Sequence, residues 1–166
     1  MKIHCTFFLS LLVLLISCSD RRAAMLSLAE EQIRYSLEKP HSLSIVAVSK
    51  PDSAFGNGYL SPEEVRSVTA LMQKVTDVIM KRTEDMTVFN PDDRYVIDLA
   101  ERQMRAMSEL RSLTALSGKE KTWTGWKLKI DYEARDAKGD AFRAERWFFF
   151  DKEGKAVVRS FEIPVP

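Results

Sequence analysis

The chain has few of the residues on which most metal and nucleophilic sites depend. It contains two cysteines, Cys5 and Cys18, and two histidines, His4 and His41, among 166 residues. So few thiols and imidazoles exclude most zinc sites and most serine–histidine arrangements. The near-equal balance of 25 basic and 24 acidic side chains provides no electrostatic footprint for nucleic acid. The sequence therefore predicts no metal, no cofactor and no nucleic-acid partner.

An apolar run long enough to cross a membrane is also missing. Residues 7–16 are apolar except for Ser10, and Asp20 and Arg21 follow shortly after, whereas a spanning helix needs about 20 apolar residues. A basic start at Lys2 followed by an apolar segment of this length is typical of a secretory signal peptide. An uncleaved membrane anchor or a buried helix is the less favoured alternative.

Leu15-Ile16-Ser17-Cys18 closes this apolar run and resembles the lipobox of bacterial lipoproteins. In that family the cysteine receives a diacylglyceryl thioether, and a type II signal peptidase cuts just before it. The resemblance implies a signal peptide at 1–17, a lipidated N-terminus and tether at 18–22, and a single α+β domain at 23–166. It also implies a lipid-anchored place in the cell envelope. The outer membrane, facing the periplasm, is favoured because Ser19 rather than aspartate follows Cys18.

Periodicity predicts three helices in the first two thirds of the domain. The first runs from about Ala23 to Glu38, and a short strand at Leu43–Val48 follows Pro40. The second begins with a capping box, Ser61-Pro62-Glu63-Glu64, and the third with Asn90 as its cap and Pro91 at its first position. Gly118 is expected to end the third helix.

The second and third helices carry matching apolar stripes and are expected to pack antiparallel. The stripes consist of Val65, Val68, Met72, Val75 and Ile79 on the second helix, and of Val96, Leu99, Gln103, Ala106, Leu110 and Leu113 on the third. An oligomer seam is the alternative, but a coiled coil sustains its heptads over more repeats than these stripes provide.

The C-terminal third predicts a three-stranded antiparallel meander. Apolar and polar residues alternate from Trp126 to Glu133, and two further strands are expected at Phe142–Phe150 and Ala156–Ile163. Each connector has the form Asp-x-x-Gly, as in Asp136–Gly139 and Asp151–Gly154, which is typical of a three-residue hairpin loop with a left-handed glycine.

With both loops in that geometry, the sheet has two apolar faces. The first face would carry Trp126, Leu128, Ile130, Tyr132, Phe142, Phe148, Phe150 and Val158, and the second would carry Trp147, Phe149, Val157, Phe161 and Ile163. The favoured interpretation is that helices cover the second face. The alternative is an open patch that includes Trp147, Phe149 and Arg159 and binds a partner.

The same register decides the surroundings of Arg159. It would lie opposite Trp147, where a cation–π contact can form. A slip of one residue would instead place it opposite Arg146, and an anion would then be needed between the two guanidinium groups.

The segment Leu37-Glu38-Lys39-Pro40-His41-Ser42-Leu43 is similar to the Leu-x-x-Pro-x-Ser turn of small secreted bacterial domains of the cystatin-like type. That resemblance implies a helix wrapped by an antiparallel sheet, although the two long middle helices depart from the minimal version of the fold. It implies no catalytic residues.

Two classes of function remain open. The favoured hypothesis is a non-catalytic binding or structural module, anchored to the membrane through Cys18 and contacting an envelope protein. The alternative is a carboxylate-dependent envelope hydrolase that uses Asp131 or Glu145. Glu133 is expected to form only a cross-strand ion pair with Arg143. We expect no enzyme, since no nucleophile, base and orienting group converge in the sequence.

Overall fold

Three helices and one five-stranded antiparallel sheet make up the part of the chain that the structure describes. The computed structural model describes residues 21–88, 90–116 and 122–166. The predicted α+β class is confirmed. The elements in chain order are helix α1 (21–36), a 3₁₀ turn (Pro40–Ser42), strands β1 (Ser44–Val48) and β2 (Asp52–Phe55), helices α2 (Pro62–Arg82) and α3 (Arg94–Leu116), and strands β3 (Trp123–Arg135), β4 (Ala141–Phe150) and β5 (Val157–Val165).

Helix α1 includes two residues that the sequence assigned to the tether. Arg21 is the first described residue and is already helical, as is Arg22. The described part of α1 therefore begins two residues before the predicted helix start at about Ala23. The helix also ends two residues before the predicted Glu38, whose carboxylate instead accepts a hydrogen bond from Ala137 N at 2.7 Å.

The two middle helices begin with different caps. Helix α2 starts with the predicted capping box, in which Ser61 and Glu64 each bond the other's backbone N–H. Helix α3 starts at Arg94, and Asp93 Oδ1 accepts from Val96 N at 3.3 Å. The predicted cap at Asn90 is wrong, because Asn90 Oδ1 closes a separate turn by accepting from Asp92 N at 2.9 Å. Gly118, the expected helix end, lies outside the described residues.

The sheet contains the predicted meander and two short strands beside it. Strand β3 pairs with β4, and β4 with β5; β1 and β2 both pair with β3, along different stretches of it. Strand β2 was not predicted, because Asp52-Ser53-Ala54-Phe55 has no clear alternation. Ser49, in the connection between the two short strands, also bonds to β3. Its backbone N–H donates to Lys129 O and its hydroxyl accepts from Lys129 N, both at 2.9 Å.

Both faces of the sheet are covered, so the protein has three layers. On the first face α1 contributes Met25, Ala29 and Ile33 to a core with β3 and β4. On the second face α2 and α3 cover the sheet, and their apolar stripes meet its aromatic side chains. The prediction that these stripes pack within the chain, and do not form an oligomer seam, is confirmed. Gln103 joins the antiparallel pair further, because its Nε2 donates to Met72 O at 2.9 Å and to Thr76 Oγ1 at 2.6 Å.

The first hairpin loop has the predicted geometry and the second does not. Asp136 N bonds Asp140 O and encloses three residues, with Gly139 at a φ of 97°. In the second loop Asp151 N bonds Ala156 O, which encloses four residues, and the register shifts again between Phe149 and Phe150. The extra loop residue and this β-bulge together move the β4–β5 pairing by two positions from the prediction.

The bulge reverses the predicted placement of the two valines that follow the loop. Val157 packs against the first-face core, and Val158 is 53% exposed. Both predicted placements are therefore wrong. Phe161 and Ile163 stay on the second face, because a shift of two positions does not change which way a side chain points.

None of the helices in the described ranges is sufficiently long and apolar to cross a membrane.

Candidate functional site

Cys18, the predicted site of lipidation, lies outside the described residues. The nearest described residue is Arg21, whose guanidinium carbon lies 5.4 Å from the centre of the Trp126 ring. The described N-terminal end of α1 thus packs against the sheet, three positions along the sequence from the proposed site of modification.

Trp147 and Phe149, proposed as an exposed patch for a partner, are buried. Trp147 is 8% exposed and Phe149 is fully buried. Phe149 stacks on Tyr59 at a ring separation of 4.8 Å, and Trp147 lies parallel to Phe161 at 6.4 Å. The patch alternative is therefore wrong at these residues, since α2 and α3 cover this face and the favoured core placement holds.

Arg159 lies opposite Phe149, not opposite Trp147 or Arg146. Its guanidinium donates to Glu109 Oε2 at 3.0 Å and to Ser112 Oγ at 2.9 Å, both on α3. Arg146 instead faces Glu162 across the strands. Both earlier placements of Arg159 are wrong because of the longer loop and the bulge, and its side chain fastens α3 to β5.

The two carboxylates of the hydrolase hypothesis share one lysine. Asp131 and Glu145 are cross-strand neighbours, and Lys129 Nζ lies 2.7 Å from Glu145 Oε2 and 3.7 Å from Asp131 Oδ1. Trp147 Nε1 donates to the other Glu145 oxygen at 2.7 Å. Burial alone lowers the pKa of Lys129, but its hydrogen bond to Glu145 and the nearby negative charges outweigh that effect and raise this pKa above 10.5. A shallow cavity of about 200 Å³ beside the cluster is lined by Lys129 and Trp147 but by neither carboxylate.

A second lysine, which is buried, joins the sheet to the start of α2. Lys127 is 5% exposed, and its Nζ lies 2.6 Å from Glu64 Oε2 and 3.4 Å from Asp52 Oδ2. The same Glu64 oxygen accepts the Ser61 backbone N–H at 2.6 Å. In each cluster two carboxylates compensate the charge of one lysine, and this geometry fits a structural role.

A polar cleft lies between the end of α1, α3 and strand β5, and we call it the α1–α3 cleft. It encloses about 690 Å³, and a neighbouring cavity of similar volume shares Asp98, Arg102, Asp136 and Phe142 with it. Its lining combines four arginines with five carboxylates: Arg102, Arg105, Arg135 and Arg146, with Glu38, Asp98, Glu109, Asp136 and Glu162. The cleft thus presents charges of both signs.

Glu162 is the centre of the charged network in this cleft. Its Oε1 accepts from Arg102 at 2.7 Å, and its Oε2 accepts from the Tyr132 hydroxyl. Burial, followed by the charge of Glu162, raises the pKa of Tyr132 well above 10.0, so the hydroxyl remains a donor at neutral pH. The Arg102 guanidinium also lies over the Phe142 ring, 4.0 Å from its centre. Arg102 reaches this ring from α3, although α3 covers the other face of the sheet.

Arg146 extends this network towards α1. Its guanidinium donates to Ser36 Oγ at 2.7 Å and to Ser160 Oγ at 3.2 Å, whereas its Nε is buried without a hydrogen-bond partner among the described residues. Sequence reasoning missed this cleft. Arg102 adjoins the predicted stripe at Gln103, but the proximity of Arg102 to Glu162 depends on the β4–β5 register, which was not predicted correctly.

Comparison with known proteins identifies no relative. No family model, no curated protein and no solved structure matches the chain. Within the described residues, no group of three or more histidine, cysteine, aspartate or glutamate side chains is arranged to hold a metal ion.

Proposed function

We propose that the protein is a lipid-anchored domain of the cell envelope that acts by binding rather than by catalysis. The observation that carries this proposal is the lipobox-like Leu15–Cys18, followed only three residues later by Arg21, which already belongs to a packed helix. A processed leader with a modified Cys18 accounts for this close succession of apolar run, cysteine and folded domain.

The attached lipid would hold the domain at the bilayer. Each buried methylene contributes about 0.8 kcal/mol, and two or more acyl chains give stable anchoring. The outer membrane, with the domain facing the periplasm, follows from the lipoprotein resemblance and from Ser19. These assignments are part of the proposal.

The α1–α3 cleft is the surface to which we assign the envelope partner. Helix α1 begins near the anchor, and Ser36 and Leu37 at its other end line the cleft. At 1.5 Å per residue, the helix separates the two by about 24 Å. The cleft would therefore face away from the bilayer, and its mixed charges suit a polar partner surface.

The hydrolase alternative has less support. Asp131 and Glu145 both pair with Lys129, and the cavity beside them is small. A hydrolase of this kind would lose activity in Asp131→Asn or Glu145→Gln, which supplies the discriminating test.

The test of anchoring compares wild type with Cys18→Ser in the native host. Wild type is expected in the membrane fraction, with mass spectrometry showing acyl groups on a mature N-terminus at Cys18. Cys18→Ser should carry no acyl groups and should lack the mature N-terminus at position 18, because cleavage follows modification of the cysteine. Cys5→Ser is the matched control, because it changes a cysteine inside the leader and should behave as wild type. An unmodified wild-type protein in the soluble fraction would overturn the proposal.

A photo-cross-linking residue tests the assignment of the cleft. Placed at Arg105, which is exposed on the cleft side of α3, it should yield a discrete adduct with an envelope protein. The control position is Lys74, which is exposed on α2 and should yield none. Equal adducts at both positions would remove the cleft from the proposal.

A further inference from the structure

We propose that one end of the domain lies against the bilayer that carries the Cys18 anchor. The surface consists of Arg21, Phe55, Trp123, Trp126 and Lys152, and we call it the tryptophan surface. This inference rests on the proposed lipidation of Cys18 and adds an orientation, with lipid as the partner of a defined protein surface.

Chain length limits how far this surface can be from the membrane. Arg21 is three chain steps from Cys18, and even a fully extended chain spans at most about 3.6 Å per step, or roughly 11 Å in all. Arg21 itself lies 5.4 Å from the Trp126 ring. A lipidated Cys18 would therefore bring the tryptophan surface close to the lipid headgroups.

The members of the tryptophan surface contact one another continuously. Trp123 and Trp126 meet edge to face at a ring separation of 5.8 Å. Lys152 Nζ lies 5.7 Å from the centre of the Trp123 ring, and Trp126 Nε1 donates to Lys152 O at 2.9 Å. Phe55 pairs with Trp123 across β2 and β3. This is one fixed surface, built on strands and on the start of α1.

Exposed aromatic rings at this end suit the membrane interface. Phe55 is 50% exposed and Trp123 is 37% exposed, even though this small domain buries most of its other aromatic rings. Tryptophan concentrates at membrane–water interfaces, because its ring is apolar and its N–H can remain hydrated. Phe55 and Trp123 thus have the chemistry expected of a surface that touches lipid.

The charge around the rings is complementary to anionic lipid headgroups. Arg21, Arg22, Lys152 and Lys155 outnumber the acidic residues next to them in the sequence, which are Asp20, Asp151 and Glu153. The Asp151 carboxylate is already used inside its loop, where Oδ1 accepts from Lys155 N at 2.7 Å. Basic groups near a bilayer attract anionic lipids, and this attraction falls off within a Debye length.

The far end of the α2–α3 hairpin is the competing exposed apolar surface. Met86 is 64% exposed and Tyr95 is 43% exposed there. Helix α2, whose first turn contacts Lys127, spans 21 residues and thus about 32 Å. The connection of roughly 11 Å from Cys18 to Arg21 thus places the tryptophan surface, and not the hairpin end, next to the anchor.

The test uses the mature lipidated protein in vesicles of phosphatidylethanolamine and phosphatidylglycerol with brominated acyl chains. Bromine quenches tryptophan fluorescence at short range, so wild type should be quenched. Trp123→Phe should lose a large part of that quenching, whereas Trp147→Phe should retain it, because Trp147 lies between the sheet and the helices. Lys152→Glu should weaken the quenching, and Lys138→Glu, on the exposed β3–β4 turn, should not.

Flotation and mass spectrometry separate failure of this inference from failure of the anchor. A protein that floats with the vesicles and carries acyl chains, but whose Trp123 is not quenched by bromine, overturns the tryptophan surface and leaves the anchor intact. The same applies if Trp123 is shielded in whole envelopes but not in vesicles, because a protein partner then covers it. A protein without acyl chains that fails to float overturns the proposed function itself.

Discussion

Lys127 provides the sharpest test of how the sheet and α2 are joined. Its ammonium is buried beside Glu64, and the Glu64 oxygen that it contacts also completes the cap of α2. Lys127→Met keeps the apolar stem and removes the charge, which leaves that carboxylate without its main partner. Breaking a buried ion pair costs 3–5 kcal/mol. Because the Glu64 side chain is 22% exposed and retains some hydration, we expect a loss of about 3 kcal/mol, or roughly 6–12 °C in Tm.

A second substitution tests whether the loss of stability comes from the unpaired charge of Glu64. Glu64→Gln in the Lys127→Met background removes the unpaired carboxylate, and glutamine can still complete a capping box. The double variant should therefore regain about half or more of the lost stability. Arg66 and Glu63 form the matched control: their pair is 3.9 Å apart with side chains 71% and 87% exposed. Arg66→Met should change the free energy of unfolding by less than about 0.5 kcal/mol.

Urea denaturation of the mature protein in a mild detergent, followed by circular dichroism, gives the free energies for a double-mutant cycle. The two substitutions should couple by about 1 kcal/mol or more, because they act on one pair of atoms. If their effects simply add, the Lys127–Glu64 contact contributes nothing specific and the reasoning above is refuted.

Three further substitutions test other contacts. Phe149→Ala should lower the free energy of unfolding by about 3–5 kcal/mol, because it empties a fully buried site. Val158 is exposed at the bulge, so Val158→Ala should change this free energy by less than about 0.5 kcal/mol. Similar losses for the two variants in urea denaturation would contradict the observed register. Gly125→Ala should cost about 3 kcal/mol in the same assay, since an added Cβ would fall 2.0 Å from Phe150 O, and near-neutral behaviour would show that β3 yields there. The raised pKa of Tyr132 stabilises the fold fully below pH 10.0 and progressively less at higher pH, because the unfolded state then loses a proton that the folded state keeps. Tyr132→Phe should therefore flatten the fall of the free energy of unfolding, measured in urea, above pH 10 by up to about 1.4 kcal/mol per pH unit, and an unchanged slope would show that Tyr132 ionises normally.

Alternation along the sequence was enough to predict a sheet with two apolar faces. Successive side chains along a strand point to opposite faces, so Leu128 and Ile130 share a face whatever the strand pairs with. The capping box at Ser61 was equally legible, because all of its partners lie within four residues. Features of this kind are local, and the structure confirms them.

Register was not predictable in the same way. A single extra residue in the Asp151–Ala156 loop and one bulge at Val158 were enough to move Arg159 from Trp147 to Phe149. Nothing in Asp-x-x-Gly distinguishes a three-residue loop from a four-residue one. The α1–α3 cleft was missed for this reason, because Arg102 and Glu162 are 60 positions apart and meet only in the correct register.

The two ends of α1 give the domain a direction that follows from contacts alone. At one end Arg21 lies on Trp126, three residues from Cys18; at the other Ser36 bonds Arg146 in the cleft. Because α1 packs along the sheet through Met25, Ala29 and Ile33, neither end can shift without exposing core. A lipid on Cys18 would therefore orient the whole domain, since a rigid helix connects the anchored end to the cleft. A partner bound there would be held at a fixed height above the bilayer, which a flexible tether could not provide.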